Sequence, residues 1–202
     1  MARSDTALIM IDIQNDFCPG GALAVPEGDA IIPRINHLQK DFAVKVLTQD
    51  WHPRSHSSFA DNQGGMEPYS LIDMPYGPQI LWPVHCVQGS TGAKFHPDLQ
   101  TDNADLILRK GFRSAVDSYS AFFENDHKTA TGLEGYLRER RVHDIVLVGL
   151  ATDFCVRYSA VDAARLGFGV TVLEGACRAI DLDGSLAEAR RDMLDHGIKL
   201  AP

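Results

Sequence analysis

At 202 residues the chain has room for one large domain with an ample core, residues 1–202, and no linker divides it. A net charge of −8 argues against a sequence-independent grip on nucleic acid. Four cysteines with no CxxC pair make a disulfide scaffold a poor reading and suit a reducing, cytoplasmic compartment. The N-terminus has no signal-peptide layout, and no apolar run is long enough to cross a bilayer.

The first apolar run, Ala7-Leu8-Ile9-Met10-Ile11, predicts a buried strand that ends at Asp12. A turn region, 14–28, carries Pro19, Gly20, Gly21 and Pro26. Asp29 to Phe42 reads as a helix with Ile32, Ile35, Leu38 and Phe42 on one face. Pro33 fits its first turn, where the missing N–H would have no partner. Val44 to Leu47 is a second strand, ending in Thr48-Gln49-Asp50. Periodicity then stops over about 50–102, and a loop of that length inside a compact domain is usually functional. Short helical or strand pieces are expected there without assigned positions.

Leu106-Ile107-Leu108 is a third strand that runs into Arg109-Lys110-Gly111. Residues 114–126 read as an irregular connection. Thr131-x-x-Glu134 predicts a capping box opening a helix to about Arg141. Ile145 to Val148 is the fourth strand. Thr152-Asp153 then supply helix-start chemistry, with Val156, Ala160, Ala163 and Ala164 at helical spacing. Cys155 therefore falls in a first helical turn, where free N–H groups and the helix dipole favour a thiolate. Val170 to Leu173 is the fifth strand. Ser185-x-x-Glu188 is a second capping box, opening a helix to about His196, and Ile198 to Leu200 a short last strand. Strands alternating with helices argue for an α/β fold with a mostly parallel sheet covered on both faces.

Parallel strands put their carboxyl ends on one edge, where ligands of open α/β sheets bind. Asp12, Lys110 and Cys155 each follow one of these strands. Singly they read as a turn cap, a solvated amine and a packing thiol. Together they answer one need: a cysteine nucleophile must lose a proton, a carboxylate can take it, and an ammonium favours both charged forms. A second group is Asp50-x-His52, whose side chains leave an extended strand end on one face, together with His56 and His85 in the long loop. One carboxylate and two imidazoles suit zinc, iron(II) or manganese with coordination positions left open. Spacing also permits His56, with a supporting position behind the ligands equally compatible.

These stretches resemble the isochorismatase-like cysteine hydrolase family, in its nicotinamidase branch. The resemblance runs from Ile11 to about Asp183, through IDIQNDFCPGGAL (11–23), QDWHPRSHSSFA (49–60), LWPVHCVQGSTGAKFHPDL (81–99), RKG (109–111), DSYSAFF (117–123) and VGLATDFCV (148–156). It implies a three-layer α/β/α sandwich around a parallel six-stranded sheet. It further implies Asp12, Lys110 and Cys155 as a catalytic triad, and Asp50, His52 and His85 as ligands of one divalent metal ion, zinc ahead of iron or manganese. Backbone N–H groups of Ala151 and Cys155 would form an oxyanion hole beside a cis Leu150–Ala151 peptide. Phe17, Trp82 and Tyr119 would wall a ring pocket. The implied reaction is hydrolysis of nicotinamide, and of its near-isostere pyrazinamide, through a thioester.

Three rival readings share these residues. A relative with the same triad could cleave isochorismate, N-carbamoylsarcosine or ureidoacrylate, but Asp50-x-His52 and the Trp82-Pro83-x-His85-Cys86 run favour the metal-bearing branch. A metallohydrolase would activate water and leave Cys155 idle. A catalytically silent ligand-binding module would use the cleft alone. Partners are expected to be the small-molecule substrate, with neither nucleic acid nor membrane; a homo-oligomer stays open.

Overall fold

The structure is a computed structural model that describes residues 3–202. Strand β1 (Arg3–Ile11) is followed by helix α1 (Ile32–Leu38), β2 (Phe42–Asp50), and a hairpin of β3 (Leu71–Met74) and β4 (Gly77–Ile80). Then come β5 (Leu106–Lys110), α2 (Leu133–Glu139), β6 (Asp144–Leu150), α3 (Arg157–Arg165), β7 (Gly169–Arg178), α4 (Ser185–Asp195) and β8 (Lys199–Ala201). Six strands form one sheet in the order β5-β2-β1-β6-β7-β8, with every neighbouring pair parallel. Helices flank it in a three-layer α/β/α sandwich. Residues 7–11 of β1 are fully buried, because a central parallel strand is covered on both faces and so shows no alternation. Among the described residues no helix is long and apolar enough to cross a membrane.

The strand order positions the site. From β1 the chain steps outward on one side through β2 to β5, then crosses to β6 on the other side of β1. The reversal opens a crevice at the carboxyl ends of β1 and β6, the switch point at which open α/β sheets bind ligands. Here β6 lies very close to β1. Gly149 sits at φ +120, and a Cβ on it would come within 2.2 Å of the Ile11 carbonyl oxygen, so glycine is required.

Several local expectations are corrected. The predicted helix over 29–42 is a 3-10 turn (Gly28–Ile31), the short α1 and another 3-10 turn (Gln39–Asp41). Phe42 leaves it because it pairs with Arg3 in the sheet and is buried there. Neither capping box forms. The Thr131 hydroxyl donates to Ala121 O and accepts from Leu133 N–H, so α2 opens at Gly132 (φ +98), and Glu134 turns instead to Arg138 at 3.5 Å. Ser185 is already the first helical residue of α4, with its hydroxyl committed to Asp153 at 2.5 Å. The long region contains the antiparallel β3–β4 hairpin and one 3-10 turn (Ala60–Asn62). Its remaining backbone is pinned by single bridges, His52 to Val87 and Phe59 to Trp82.

Candidate active site

Asp12 follows β1 with φ +49, a left-handed conformation that aspartate tolerates better than most residues. That turn sends its carboxylate inward toward β2. There Thr48 Oγ1 donates to Asp12 Oδ1 at 2.6 Å and accepts the Asp12 N–H at 3.1 Å. Asp50 and Lys110 end β2 and β5 as partners in the sheet register, so their side chains emerge on the same face. Lys110 is fully buried, and its Nζ lies 2.5 Å from Asp50 Oδ1, 2.8 Å from Ser118 O, 2.9 Å from Asp12 Oδ2 and 3.4 Å from Cys155 Sγ. The ammonium thus touches both sequence-predicted groups at once. The sequence reading placed it with Asp12 and Cys155 alone.

Asp12 Oδ2 is completely buried, with the Lys110 ammonium 2.9 Å away as its charge partner. Carboxylate oxygens of Asp12 and Asp50 and the Cys155 sulfur all lie within 4.8 Å of one another. A buried carboxylate this close to a thiol is within reach of its proton. Cys155 itself sits in a π-helical turn, Thr152–Val156, that leads into α3. The helix-start chemistry expected of Thr152-Asp153 is not used. The Asp153 carboxylate instead takes the Ile180 and Asp181 N–H groups and the Ser185 hydroxyl, tying β7 and α4 to the Cys155 turn. The Leu150–Ala151 peptide is cis.

Burial separates the ionisation of these groups. It pushes the Cys155 thiol well above its usual range, and the Lys110 ammonium offsets only part of that, so the resting sulfur is a thiol. The first-turn dipole does not win here. Burial also raises Asp12, against the pull of Lys110. For Asp50, burial is outweighed by Lys110 and then His52, which hold its carboxyl well below the carboxylate range. Lys110 stays charged because the two carboxylates overcome its own desolvation. Two aspartates on one lysine are therefore set apart: Asp50 stays ionised, and Asp12 is ready to take a proton.

The three expected ligands converge. Asp50 Oδ2 is 3.5 Å from His52 Nε2 and 3.8 Å from His85 Nε2. Each imidazole has its other nitrogen on a backbone carbonyl, His52 Nδ1 on Gly111 O and His85 Nδ1 on Pro83 O, both at 2.8 Å. A carbonyl only accepts, so both Nδ1 atoms carry the proton and both Nε2 lone pairs face Asp50. This is the tautomer a metal needs. His56 differs. Its Nδ1 accepts the Ser58 N–H and its Nε2 approaches Val116 O at 3.2 Å, which leaves no lone pair for an ion. Its ring backs His52 at 4.4 Å between centroids, and burial lowers its pKa to about 4. Cys86 is fully buried and stands outside the Asp50, His52, His85 group.

Cys155 and this group line one cleft. Phe17, Trp82 and Tyr119 wall it, as do Phe154, Asp117 and Ile180, which the sequence reading did not single out. Phe17 stands 5.5 Å from the His85 ring, and Trp82 meets Phe154 edge-on at 4.9 Å. Phe154 was available to sequence reasoning as the neighbour of Cys155. Asp117 and Ile180 carry no periodicity or spacing that would mark them.

A thiol, a buried carboxylate and a buried ammonium at the switch point of a parallel sheet, opening onto an aromatic cleft, define an α/β protein equipped for small-molecule chemistry on sulfur. The isochorismatase domain model matches residues 6–197. The chain belongs to the isochorismatase family. It is 52% identical to the nicotinamidase of Acinetobacter baylyi over 196 residues, covering 97% of this chain and 92% of that one. Its fold superposes on an Acinetobacter baumannii nicotinamidase/pyrazinamidase with a TM-score of 0.98 at 51% identity, covering 100% and 97% of the two chains. It is also similar to the pyrazinamidase of Pyrococcus horikoshii solved in complex with zinc, with a TM-score of 0.78 at 36% identity over 98% of each chain.

Proposed function

We propose that this chain hydrolyses nicotinamide to nicotinate and ammonia through a thioester on Cys155, with one divalent ion seated on Asp50, His52 and His85. One observation carries the reading: the Cys155 sulfur and the Asp50, His52, His85 group share a single aromatic-walled cleft. The names of its close relatives support the same substrate. The donor set suits zinc, and the zinc-bound Pyrococcus pyrazinamidase favours it over iron or manganese. When bound, the ion supplies a Lewis-acid seat for the pyridine nitrogen. Pyrazinamide keeps a ring nitrogen in that position and is accepted too. Four free cysteines fit a reducing, cytoplasmic setting.

In the proposed reaction the ring lies between Phe17 and Trp82, with its amide toward Cys155. Asp12 Oδ2 takes the thiol proton as sulfur bonds to the amide carbon. The carbonyl π pair moves to oxygen, which the Ala151 and Cys155 N–H groups receive, each worth about 3 kcal/mol in sites of this type. Asp12 returns the proton to nitrogen, the C–N bond breaks and ammonia leaves. Water then attacks the thioester with Asp12 as base. The C–S bond breaks, and sulfur recovers its proton. Lys110 keeps its positive charge throughout and holds Asp12 against the sulfur.

The test is ammonia release from nicotinamide, with metal content measured on the same sample. Stoichiometric metal and steady release are expected. Metal-loaded protein that releases none would overturn the proposal. Chelation is expected to raise KM at least tenfold and to be reversed by adding the ion back; unchanged kinetics in metal-free protein would remove the seating role.

Gly111 gives a second handle on the ion. It sits at φ +65, and a Cβ there would fall 2.4 Å from His52 Cε1. Gly111→Ala is expected to displace the His52 ring and weaken metal affinity by about 10–100-fold. Metal competition titration reads this directly, and wild-type affinity would refute it.

A further inference from the structure

We infer that Gln79, on the exposed β3–β4 hairpin, is the positioning residue that fixes the ring-binding wall of the cleft. The inference rests on the proposed nicotinamide reading and extends it to a residue outside the cleft. Gln79 does not line the cleft, yet its side chain is buried at the centre of a polar network behind the wall. Its Nε2 lies 2.8 Å from the Tyr119 hydroxyl, 3.0 Å from Asp117 Oδ2 and 2.7 Å from Ile80 O. Its Oε1 accepts from the Tyr76 hydroxyl and from Asn125 Nδ2, both at 3.1 Å. Only one orientation of the amide faces its NH₂, whose two hydrogens are shared among three oxygens, toward acceptors. A flip would set its oxygen against a carboxylate and a carbonyl, and its NH₂ against two donors.

The consequence reaches the substrate pocket in one step. The Tyr119 hydroxyl accepts the Trp82 indole N–H at 3.0 Å. The order Gln79, Tyr119, Trp82 therefore runs from the hairpin to an aromatic face of the cleft. Asn125 also holds the Tyr119 backbone N–H through its Oδ1 at 3.0 Å. Asp117, which does line the cleft, gets its Oδ2 partner from the same Gln79 amide. A buried polar network of this kind rigidifies the groups it joins when fully satisfied, and fails as a unit when its donor is lost. Gln79 touches neither Cys155 nor the metal-type group, so its loss falls on substrate seating.

Two variants separate shape from hydrogen bonding. Gln79→Met keeps the length and removes every polar contact. Gln79→Glu keeps the acceptors for Tyr76 and Asn125 but removes both donors and adds a charge beside Asp117. Both are expected to raise KM for nicotinamide about tenfold or more, the scale of one lost buried hydrogen bond. At saturation kcat should stay within about threefold of the unmodified chain, with metal content and the alkylation rate of Cys155 unchanged, since neither site is touched. A merely structural defect would lower the active fraction, and hence kcat, leaving KM alone; that result overturns the assignment, as does an unchanged KM in either variant. If the unmodified chain releases no ammonia, the proposed function fails by itself. Near-ultraviolet circular dichroism then decides the Gln79 role without substrate: loss of the aromatic signal in both variants supports it, and a signal equal to the unmodified chain's sinks it.

Discussion

Cys155→Ala is expected to abolish ammonia release from nicotinamide, by about 10⁵-fold or more, the scale of losing a covalent nucleophile. The fold should survive, because the substitution removes one sulfur from a buried site and leaves Lys110 its carboxylate and carbonyl partners. Cys155→Ser should be nearly as inactive. Burial already pushes the thiol well above its ordinary range, and a hydroxyl there would be harder still for Asp12 to deprotonate. Both variants should keep metal and still bind nicotinamide. That combination separates the thioester route from a metal-bound water attacking the amide with Cys155 idle. Turnover within tenfold of the unmodified chain in Cys155→Ala, at full metal loading, would decide for the water route. Alkylation of the thiol is a weaker version of the same test, since the adduct also fills the cleft.

The strands were legible because buried parallel strands are continuous apolar runs, and 7–11 and 145–148 are nothing else. The alternation of strand and helix carried the α/β class with it. Local starts and stops were less legible, for a physical reason visible in each case. Thr131 and Ser185 have capping chemistry, but α2 opens one residue later, behind Gly132, and Ser185 is already inside α4 with its hydroxyl turned to Asp153. Phe42 has helical spacing but gains a place in the sheet beside Arg3. Candidate groups at strand ends were visible, because the carboxyl edge of a parallel sheet collects them. Their joining was not. That Asp50 and Lys110 stand opposite each other is a fact of register, and no residue type announces register. Gln79 was invisible for the same kind of reason. A glutamine in an aperiodic loop acquires meaning only through Tyr119, Asp117 and Asn125, all from the connection after β5.

Lys110→Met tests that join. The ammonium is buried against two carboxylates, so a methionine of similar length leaves Asp12 and Asp50 as neighbouring buried acids with no cation between them. Breaking a buried ion pair from one side costs about 3–5 kcal/mol. In a chain of this size that lowers the thermal midpoint by roughly 6–20 °C. The loss should be larger after chelation, because an ion on Asp50 neutralises one of the two stranded charges; this dependence on metal distinguishes a charge effect from a packing defect. Turnover should fall about 10²–10⁴-fold, the range for removing a group that supports acid–base transfer. Without its cation Asp12 holds its proton more firmly and no longer accepts one from sulfur. Lys110→Arg should not rescue it, since a planar guanidinium cannot place a single point charge 2.9 Å from Asp12 and 2.5 Å from Asp50 at a fully buried position. Calorimetry with and without chelator, beside the ammonia assay, reads both effects. A midpoint and rate equal to the unmodified chain's would mean that the two aspartates do not depend on the ammonium between them.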